Sequence, residues 1–438
     1  MSLRTVIDEI LGDELPLRLK AYDGTDVGPA DAPATVVVKN RNALRRIVQA
    51  PGELGFARAF VAGDIDIEGD LYAALSVQDH MQDVNVGPKA LVALARHLGR
   101  DALRPVPPPP EEARVRGRRH SRRRDADAIA HHYDVSNDFY RAFLGRTMTY
   151  SCAVFEDGMD DLDRAQENKY ELICRKLALR PGQRLLDIGC GWGGMVIHAA
   201  RHHGVSAVGV TVSRRQADLA AQRVAEAGLA DRVEIRFQDY RDITDGPFDA
   251  ISSIGMFEHV GVSRLKDYFG QLKTLVPEGG RLLNHQITRP PFKRAALERA
   301  GFMNRYVFPD GELMEIGKLV SAMQDCGFEV RHDESLREHY ARTLRHWVAN
   351  LEANWDLAVA ETSLGRARTW RLYMAGAAVN FEANKTQIHQ VMAINLDAGE
   401  GMSGLPMRPD WENLGPLSTP AGLPARANGH DRGTVASR

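Results

Sequence analysis

RLLDIGCGWGG, residues Arg184 to Gly194, joins a short apolar run to a glycine-rich turn, and MVIHAARHHG continues from its last glycine. The apolar run predicts a buried strand and the following stretch a helix. Gly189, Gly191 and Gly194 fit the spacing GxGxxG at the strand-to-helix turn. Glycines there let backbone N–H groups and the helix N-terminus come close to a ligand. Outward from this point, from about residue 126 to 395, strand, glycine turn and helix alternate. That alternation predicts a doubly wound α/β domain. A helical substrate cap is expected after its fifth strand, and a small α+β unit before the domain.

The glycine loop alone does not name its ligand. A dinucleotide site wants an acidic residue about 20 positions on, at the end of the second strand, to hold the ribose diol. The second strand here, AVGVTV, ends at Thr211 and Ser213 without a carboxylate. Asp187 instead lies at the end of the first strand, beside the loop, as in S-adenosylmethionine enzymes. Their ligand carries a carboxylate and a sulfonium but no pyrophosphate. The third strand, VEIRFQ, runs into Asp239, placed to bond an adenine amino group. Asp187, Gly189, Gly191, Gly193, Thr211, Ser213, Gln216 and Asp239 are therefore the candidate cofactor contacts. Singly, each is a tight-turn residue.

The chain has 438 residues, enough for two or three domains. Its hydrophobic share of 44% and charged share of 26% exclude whole-chain disorder and fibrous classes. Net charge is −2, which excludes a uniformly basic nucleic-acid binder. Cys152, Cys174, Cys190 and Cys326 form no CxxC pair, so no zinc ribbon or redox motif is present, and free thiols fit a reducing cytosol. Adjacent His131 and His132 point about 100° apart on a helix, and no HExxH exists, so no metal is expected. No apolar run is long enough to span a membrane, and the acidic, interrupted N-terminus is not a secretory signal.

Residues 1–103 read as the small N-terminal domain. A hairpin turns at Asp23-Gly24, ATVVVKN and GDIDIEGD are strands, and ALRRIVQA is a helix. Residues 104–125 read as a linker: RPVPPPPEEA favours extended polyproline II, and seven arginines fall between Arg114 and Arg124. Such a run is either a solvated spacer or an electrostatic contact with an anionic surface, at about 1 kcal/mol per basic residue. Residues 126–398 form the catalytic domain. Residues 399–438, rich in Gly, Pro, Ala and Ser, read as a disordered tail.

With these pieces in place the sequence resembles the cyclopropane fatty acid synthase family. The stretches that carry the resemblance are HYDVSNDFY (132–140), TMTYSC (147–152), LDIGCGWGG (186–194), GVTVSRRQ (209–216), MFEHVG (256–261), YVFPDGEL (306–313) and HYARTLRHW (339–347). They occur in order and at family-like spacing across most of 130–350. The resemblance implies an S-adenosylmethionine-dependent enzyme that adds a methylene group to the cis double bond of an unsaturated phospholipid acyl chain. Some relatives instead leave a methylene branch, which a reductase partner then reduces.

An isolated alkene attacks a sulfonium methyl only when both are held in line. The carbocation that results must be shielded from water and must lose a proton from the new methyl group. The resemblance implies a bound bicarbonate ion as the base, held by Cys152, Glu258, His285, the backbone of Ile287 and Tyr340. It also places Tyr150 and Ser151 at the methionine end of the cofactor. Read without it, Cys152 is a small core residue, Glu258 serves equally as a helix cap or ion-pair partner, and His285 is a satisfied core histidine. Phe302 to Phe308 are expected to line an acyl tunnel. Leu344, Trp347, Val348, Leu351 and Trp355 are expected on a helix that is partly core. The substrate lies in a bilayer, so the N-terminal domain and the arginine run are expected to make peripheral contact with anionic membrane, with no nucleic-acid partner. A homodimer is the assembly the resemblance suggests. The alternatives weighed are the methylene-branching enzyme, a non-catalytic lipid-binding protein of the same fold, and a nucleic-acid methyltransferase, for which no Asn-Pro-Pro-Tyr motif is found.

Overall fold

The computed structural model describes residues 3–5, 7, 16–80, 88–113, 135–291, 301–309, 311–396 and 405–411. The arginine run at 114–124 lies outside them, as does His132. In the N-terminal unit the expected hairpin forms. Strand β1 (Arg18–Ala21) runs antiparallel to β2 (Asp26–Val27), and Gly24 turns the chain at φ +87°. Strands β3 (Ala34–Val38) and β4 (Ile65–Gly69) complete a four-stranded sheet in the order β2-β1-β3-β4. Helix α1 (Arg41–Gln49) starts where the Asn40 side chain accepts from the Asn42 N–H. It packs on α2 (Glu53–Val61), and Val38, Ala43, Leu44, Ala59 and Ile65 share one small core. Helices α3 (Leu71–His80) and α4 (Pro88–Leu98) follow.

The polyproline stretch is anchored to the N-terminal unit where it is described. Residues 104–113 form a strap tied down at both ends. Arg45 and Gln49 donate to the Arg104 carbonyl, and Arg46 to that of Pro107. At the far end Glu112 is buried and takes two hydrogen bonds of 2.8 Å from Arg58. Its other neighbours are the Tyr306 hydroxyl and Arg305, so this carboxylate joins the N-terminal unit to the catalytic domain. A proline-rich segment has few N–H groups to satisfy, but its carbonyls are good acceptors for the arginines of α1.

The catalytic domain opens with α5 (Asn137–Leu144), capped by Ser136, and α6 (Leu162–Lys176), capped by Asp161. Then come β5 (Arg184–Ile188), α7 (Gly194–His203), β6 (Ser206–Thr211), α8 (Arg214–Glu226), β7 (Val233–Phe237), β8 (Ala250–Ile254), α9 (Phe257–Val260), α10 (Leu265–Leu275) and β9 (Arg281–Thr288). Helix α11 (Ile316–Asp325) and strand β10 (Phe328–Ser335) lead into α12 (Arg337–Ala353), α13 (Trp355–Glu361) and α14 (Leu364–Glu382), and β11 (Gln387–Asn395) closes the sheet. The seven strands lie in the order β10-β11-β9-β8-β5-β6-β7. Strands β7, β6, β5, β8 and β9 are parallel neighbours, and β11 is antiparallel to both β9 and β10. Leu185 to Ile188 are all buried, as expected of a central parallel strand covered on both faces. Strand order reverses at β5, and ligands of such sheets bind beyond the carboxyl ends at that point.

The cap is placed differently from the expectation. Its long helices α12 to α14 are inserted between β10 and β11, the sixth and seventh strands of this sheet, and not after the fifth. Strand β10 lies at the edge of the sheet, with Phe328 buried and half-buried and exposed residues alternating from Arg331 on. Helices α12 and α14 pack on each other, and α14 also packs on α2 and α3. There Arg368, from α14, donates to the Phe60 and Ile65 carbonyls at 2.6 Å and lies over the Phe60 ring. Part of the expected tail also returns to the protein: the Trp411 ring meets His332 at 5.2 Å. No helix among the described residues is long and apolar enough to cross a membrane.

Candidate active site

A cavity of about 570 Å³ opens at the carboxyl ends of β5, β6 and β8. Its wall includes Tyr150, Ser151, Asp187, Gly189, Gly191, Thr211, Gln216 and Asp239, all expected from the sequence and drawn from four separate stretches of it. Gly191 sits at φ +53°, and a Cβ there would meet no atom within 4 Å, so the backbone faces open space. Gly189 sits at φ +75°, with Met256 closing behind it. Thr211 donates to the Gln216 side chain at 2.9 Å, which orients both. Gly193 and Ser213 are not in the cavity wall. Gly193, at φ +81°, starts α7, and Ser213 caps α8 through the Gln216 N–H. Asp239 faces the cavity while accepting from Arg241 at 2.9 and 2.6 Å.

The donor set fits S-adenosylmethionine. The open backbone at Gly191 admits the ligand, and Thr211, Gln216 and Asp239 offer polar atoms along one wall. Asp187 is buried, accepts from the Ser252 hydroxyl at 2.6 Å, and is pushed up to about 6 by burial. The sequence reading missed Lys169, Tyr170, Trp192, Gln238 and Met256 in the wall. Gln166, Lys169 and Tyr170 are buried on one face of α6. In the sequence, QENKYEL looks like a solvated helix face.

The residues named for proton removal do not line this cavity. They meet around β9, β11 and the start of α12. The Cys152 thiol donates to the Leu336 carbonyl at 3.7 Å, and the Tyr340 N–H donates to the same carbonyl. Leu336 in turn bonds to Ile388, which lies opposite Ile287 in the β9–β11 register. His285 is opposite Gln390 in that register, and the Gln390 amide meets its Nδ1 at 3.0 Å. Glu258, on the short helix α9, accepts from the Ile287 N–H at 2.7 Å. That N–H was expected to face the anion; here it is held by Glu258.

Two buried atoms of this group have no partner among the described residues: Glu258 Oε2 and His285 Nε2. Burial pushes Glu258 up to about 7, against the Ile287 N–H, which favours the charged form. Burial and then the nearby charges of Lys169 and Lys176 hold His285 well below its ordinary value, so its imidazole is neutral. Burial also drives the Cys152 thiol far above its ordinary value, which makes it a hydrogen-bond donor and not a nucleophile.

An aromatic wall joins the cavity to the cap. The Tyr150 ring stacks on Trp347 at 5.2 Å, and its hydroxyl meets that of Tyr373 at 2.8 Å. Phe308 touches Tyr373 edge-on. Phe302 and Tyr306, expected along a tunnel, are buried in the core of the cap. Leu344, Trp347, Val348 and Leu351 are buried on α12, and Trp355 starts α13. Elsewhere, Cys174, His198 and His203 bring ligand-type atoms within 4.8 Å of one another, closest among the described residues to a metal-binding group. Both imidazoles contact Glu171 Oε2, at 3.2 and 2.9 Å. They come from two helices, so no local motif announces them.

Comparison with known proteins bears on this geometry. The profile of the mycolic acid cyclopropane synthetase family matches residues 120–391. A "Probable fatty acid methyltransferase" of Mycobacterium tuberculosis is 47% identical, over 91% of this chain and 95% of its own. The cyclopropane-fatty-acyl-phospholipid synthase of Escherichia coli is 33% identical, over 82% of this chain and 88% of its own. Among solved structures, mycolic acid cyclopropane synthase CmaA1, complexed with SAH and CTAB, superposes with a TM-score of 0.58 at 35% identity. It covers 61% of this chain and 98% of the other.

Proposed function

The chain belongs to the mycolic acid cyclopropane synthetase family of S-adenosylmethionine-dependent methyltransferases that modify lipid acyl chains, and we propose that it acts on the cis double bond of an unsaturated phospholipid, closing a cyclopropane ring. The observation that carries this reading is that Glu258 and His285, both buried, each keep one polar atom without a partner among the described residues. Bound in the cavity, S-adenosylmethionine supplies an electrophilic methyl group. The protein's own residues have three tasks. Tyr150, Trp347 and Tyr373 exclude water and turn ring faces toward a developing positive charge. Gly189, Gly191, Thr211 and Gln216 fix the donor. Glu258 and His285 receive or relay the proton released from the new methyl group.

A carboxyl poised near neutrality is well matched to that last task. The unpartnered Glu258 Oε2 and His285 Nε2 fit a small anion such as bicarbonate, with the Cys152 thiol and Tyr340 as further donors. We place the protein at an anionic membrane surface, as a peripheral enzyme of the cytoplasm, with a homodimer as the assembly to look for.

One observation favours a second reading, the methylene-branched product. The relative at 47% identity and another at 35%, the tuberculostearic acid methyltransferase of Mycobacterium tuberculosis, carry methyltransferase names. Both products gain the same atoms, so mass alone does not separate them. Proton NMR of lipids from a host expressing this chain does: ring protons fall upfield of the acyl chain, exocyclic methylene protons in the vinylic region. Only the branched product is reduced when a reductase is added. Absence of S-adenosylhomocysteine release with unsaturated vesicles would favour a non-catalytic lipid binder, and turnover that required nucleic acid would remove the lipid reading.

A further inference from the structure

Lys169 is a basic side chain set wholly inside the protein. It lies on the buried face of α6 with no exposed surface, and it forms part of the cavity wall. Its Nζ donates to the Ser151 hydroxyl at 2.8 Å and sits 4.3 Å from the centre of the Tyr170 ring. No carboxylate oxygen lies within 4.0 Å of it among the described residues. The contrast is seven residues on. Lys176, on the same helix and equally buried, is paired with Glu334 and bonded to Gln390 at 2.8 Å. An amine removed from water without a counter-charge is costly to keep. A hydroxyl and a ring face do not replace a carboxylate.

Lys169, Ser151 and Asp187 share the cavity wall, and the charge of Asp187 is felt at Lys169. A ligand that reaches this end of the cavity with an amino-acid group brings one carboxylate and one ammonium. We propose that Lys169 pairs with the α-carboxylate of the cofactor's amino-acid end while Asp187 faces its α-ammonium, so that two buried opposite charges read the zwitterion. The proposal rests on the assignment of the cavity to S-adenosylmethionine. Burial presses Lys169 down to about 7, opposed by Cys152 and Asp187, so an arriving carboxylate also draws a proton onto the amine.

The test is a binding matrix read by calorimetry on the full chain. The ligands are S-adenosylhomocysteine, its decarboxylated analogue and 5′-methylthioadenosine; the proteins are wild type, Lys169→Met and Lys169→Gln. A charge-assisted hydrogen bond lost from a buried site corresponds to about 10- to 100-fold in affinity. Wild type should prefer S-adenosylhomocysteine over the decarboxylated analogue by that factor. Both variants should lose the preference to within about threefold, while methylthioadenosine binds all three proteins alike. Methylthioadenosine binding shows that the adenosine site is folded, and the amide variant keeps the test alive if the methionine variant misfolds. A preference that survives in the variants overturns the proposal. So does an unchanged preference accompanied by a higher bicarbonate requirement for turnover, which would assign the amine to the other anion. If no adenosyl ligand binds wild type, the cofactor assignment itself fails, a result distinct from either.

Discussion

Glu258→Gln separates a proton-handling carboxyl from a structural one, because the fold gives the two roles different signatures. The amide keeps an oxygen to accept from the Ile287 N–H, now at 2.7 Å, and it cannot titrate. In wild type, burial raises the carboxyl from its ordinary 4.5 to about 7. A folded value above the unfolded one means that the contribution to stability is fully present below pH 4.5 and is lost as the pH rises through about 7. The difference corresponds to about 3 kcal/mol. Asp187, also raised by burial, has the same sign but is present in both proteins and cancels in the comparison.

Denaturant unfolding of both proteins across this range should therefore show the variant gaining on wild type by about 3 kcal/mol from acid to alkaline pH. In the same samples, turnover on unsaturated vesicles should fall by about 10²- to 10⁴-fold, with S-adenosylhomocysteine affinity held within about twofold. Wild-type turnover should rise with pH through about 7, since the carboxylate is the form that accepts a proton. Parallel stability curves would show that the carboxyl is not buried as described. Equal losses of binding and turnover would make Glu258 a cofactor ligand or a purely structural group.

Three further outcomes are expected. Gly191→Val places a branched side chain at φ +53° and in the space a ligand needs, so calorimetry should detect no S-adenosylhomocysteine binding; unchanged affinity would move the cofactor elsewhere. Arg368→Met removes the donors to the Phe60 and Ile65 carbonyls and should weaken docking of the N-terminal unit by about 2 to 4 kcal/mol. Amide exchange should then rise in β4 ahead of β5, and a uniform rise would refute a local role. Replacing the seven arginines from Arg114 to Arg124 with glutamine should weaken binding to anionic vesicles and flatten its salt dependence. Activity on detergent-dispersed lipid should change much less, and equal losses in both assays would make the run a support for domain geometry.

What could be read from the sequence was whatever lies close together along the chain. The strand, the glycine turn, Asp187 and the helix start are contiguous, and backbone geometry alone ties them to a ligand. Thr211, Ser213 and Gln216 sit at the next equivalent turn and were found by the same logic. Cys152, Glu258, His285, Ile287 and Tyr340 come from one loop and three elements separated by long connections, so only the family resemblance grouped them. Lys169 escaped notice because a charged residue on an amphipathic helix looks solvated, and only packing shows that its face is the inner one. Glu112 escaped for a similar reason: a carboxylate after a run of prolines gives no sign that three side chains will enclose it. The long helices of the cap were expected one strand too early because β10, whose second half is wholly polar, carries little of the apolar signal that marks an inner strand.

Strand β9 reads RLLNHQIT, and its second half buries Asn284, His285, Gln286 and Thr288 in the interior of a seven-stranded sheet. Each of these residues has an atom without a partner among the described residues, as does Glu258 beside them. An unpartnered buried polar group costs about 1 to 3 kcal/mol, so several in one strand are an expense that apolar residues would avoid. The first half of the same strand, Leu282 and Leu283, is what stability alone selects there. The change from apolar to polar falls toward the carboxyl end, where sheets of this order place their ligands. Strand β11 matches it with His389 and Gln390 opposite Gln286 and His285. The polar stretch thus lies at the functional end of the sheet and on both sides of one strand pair. That coincidence is what a site for a small polar species would produce, and it follows from burial and register without reference to any relative.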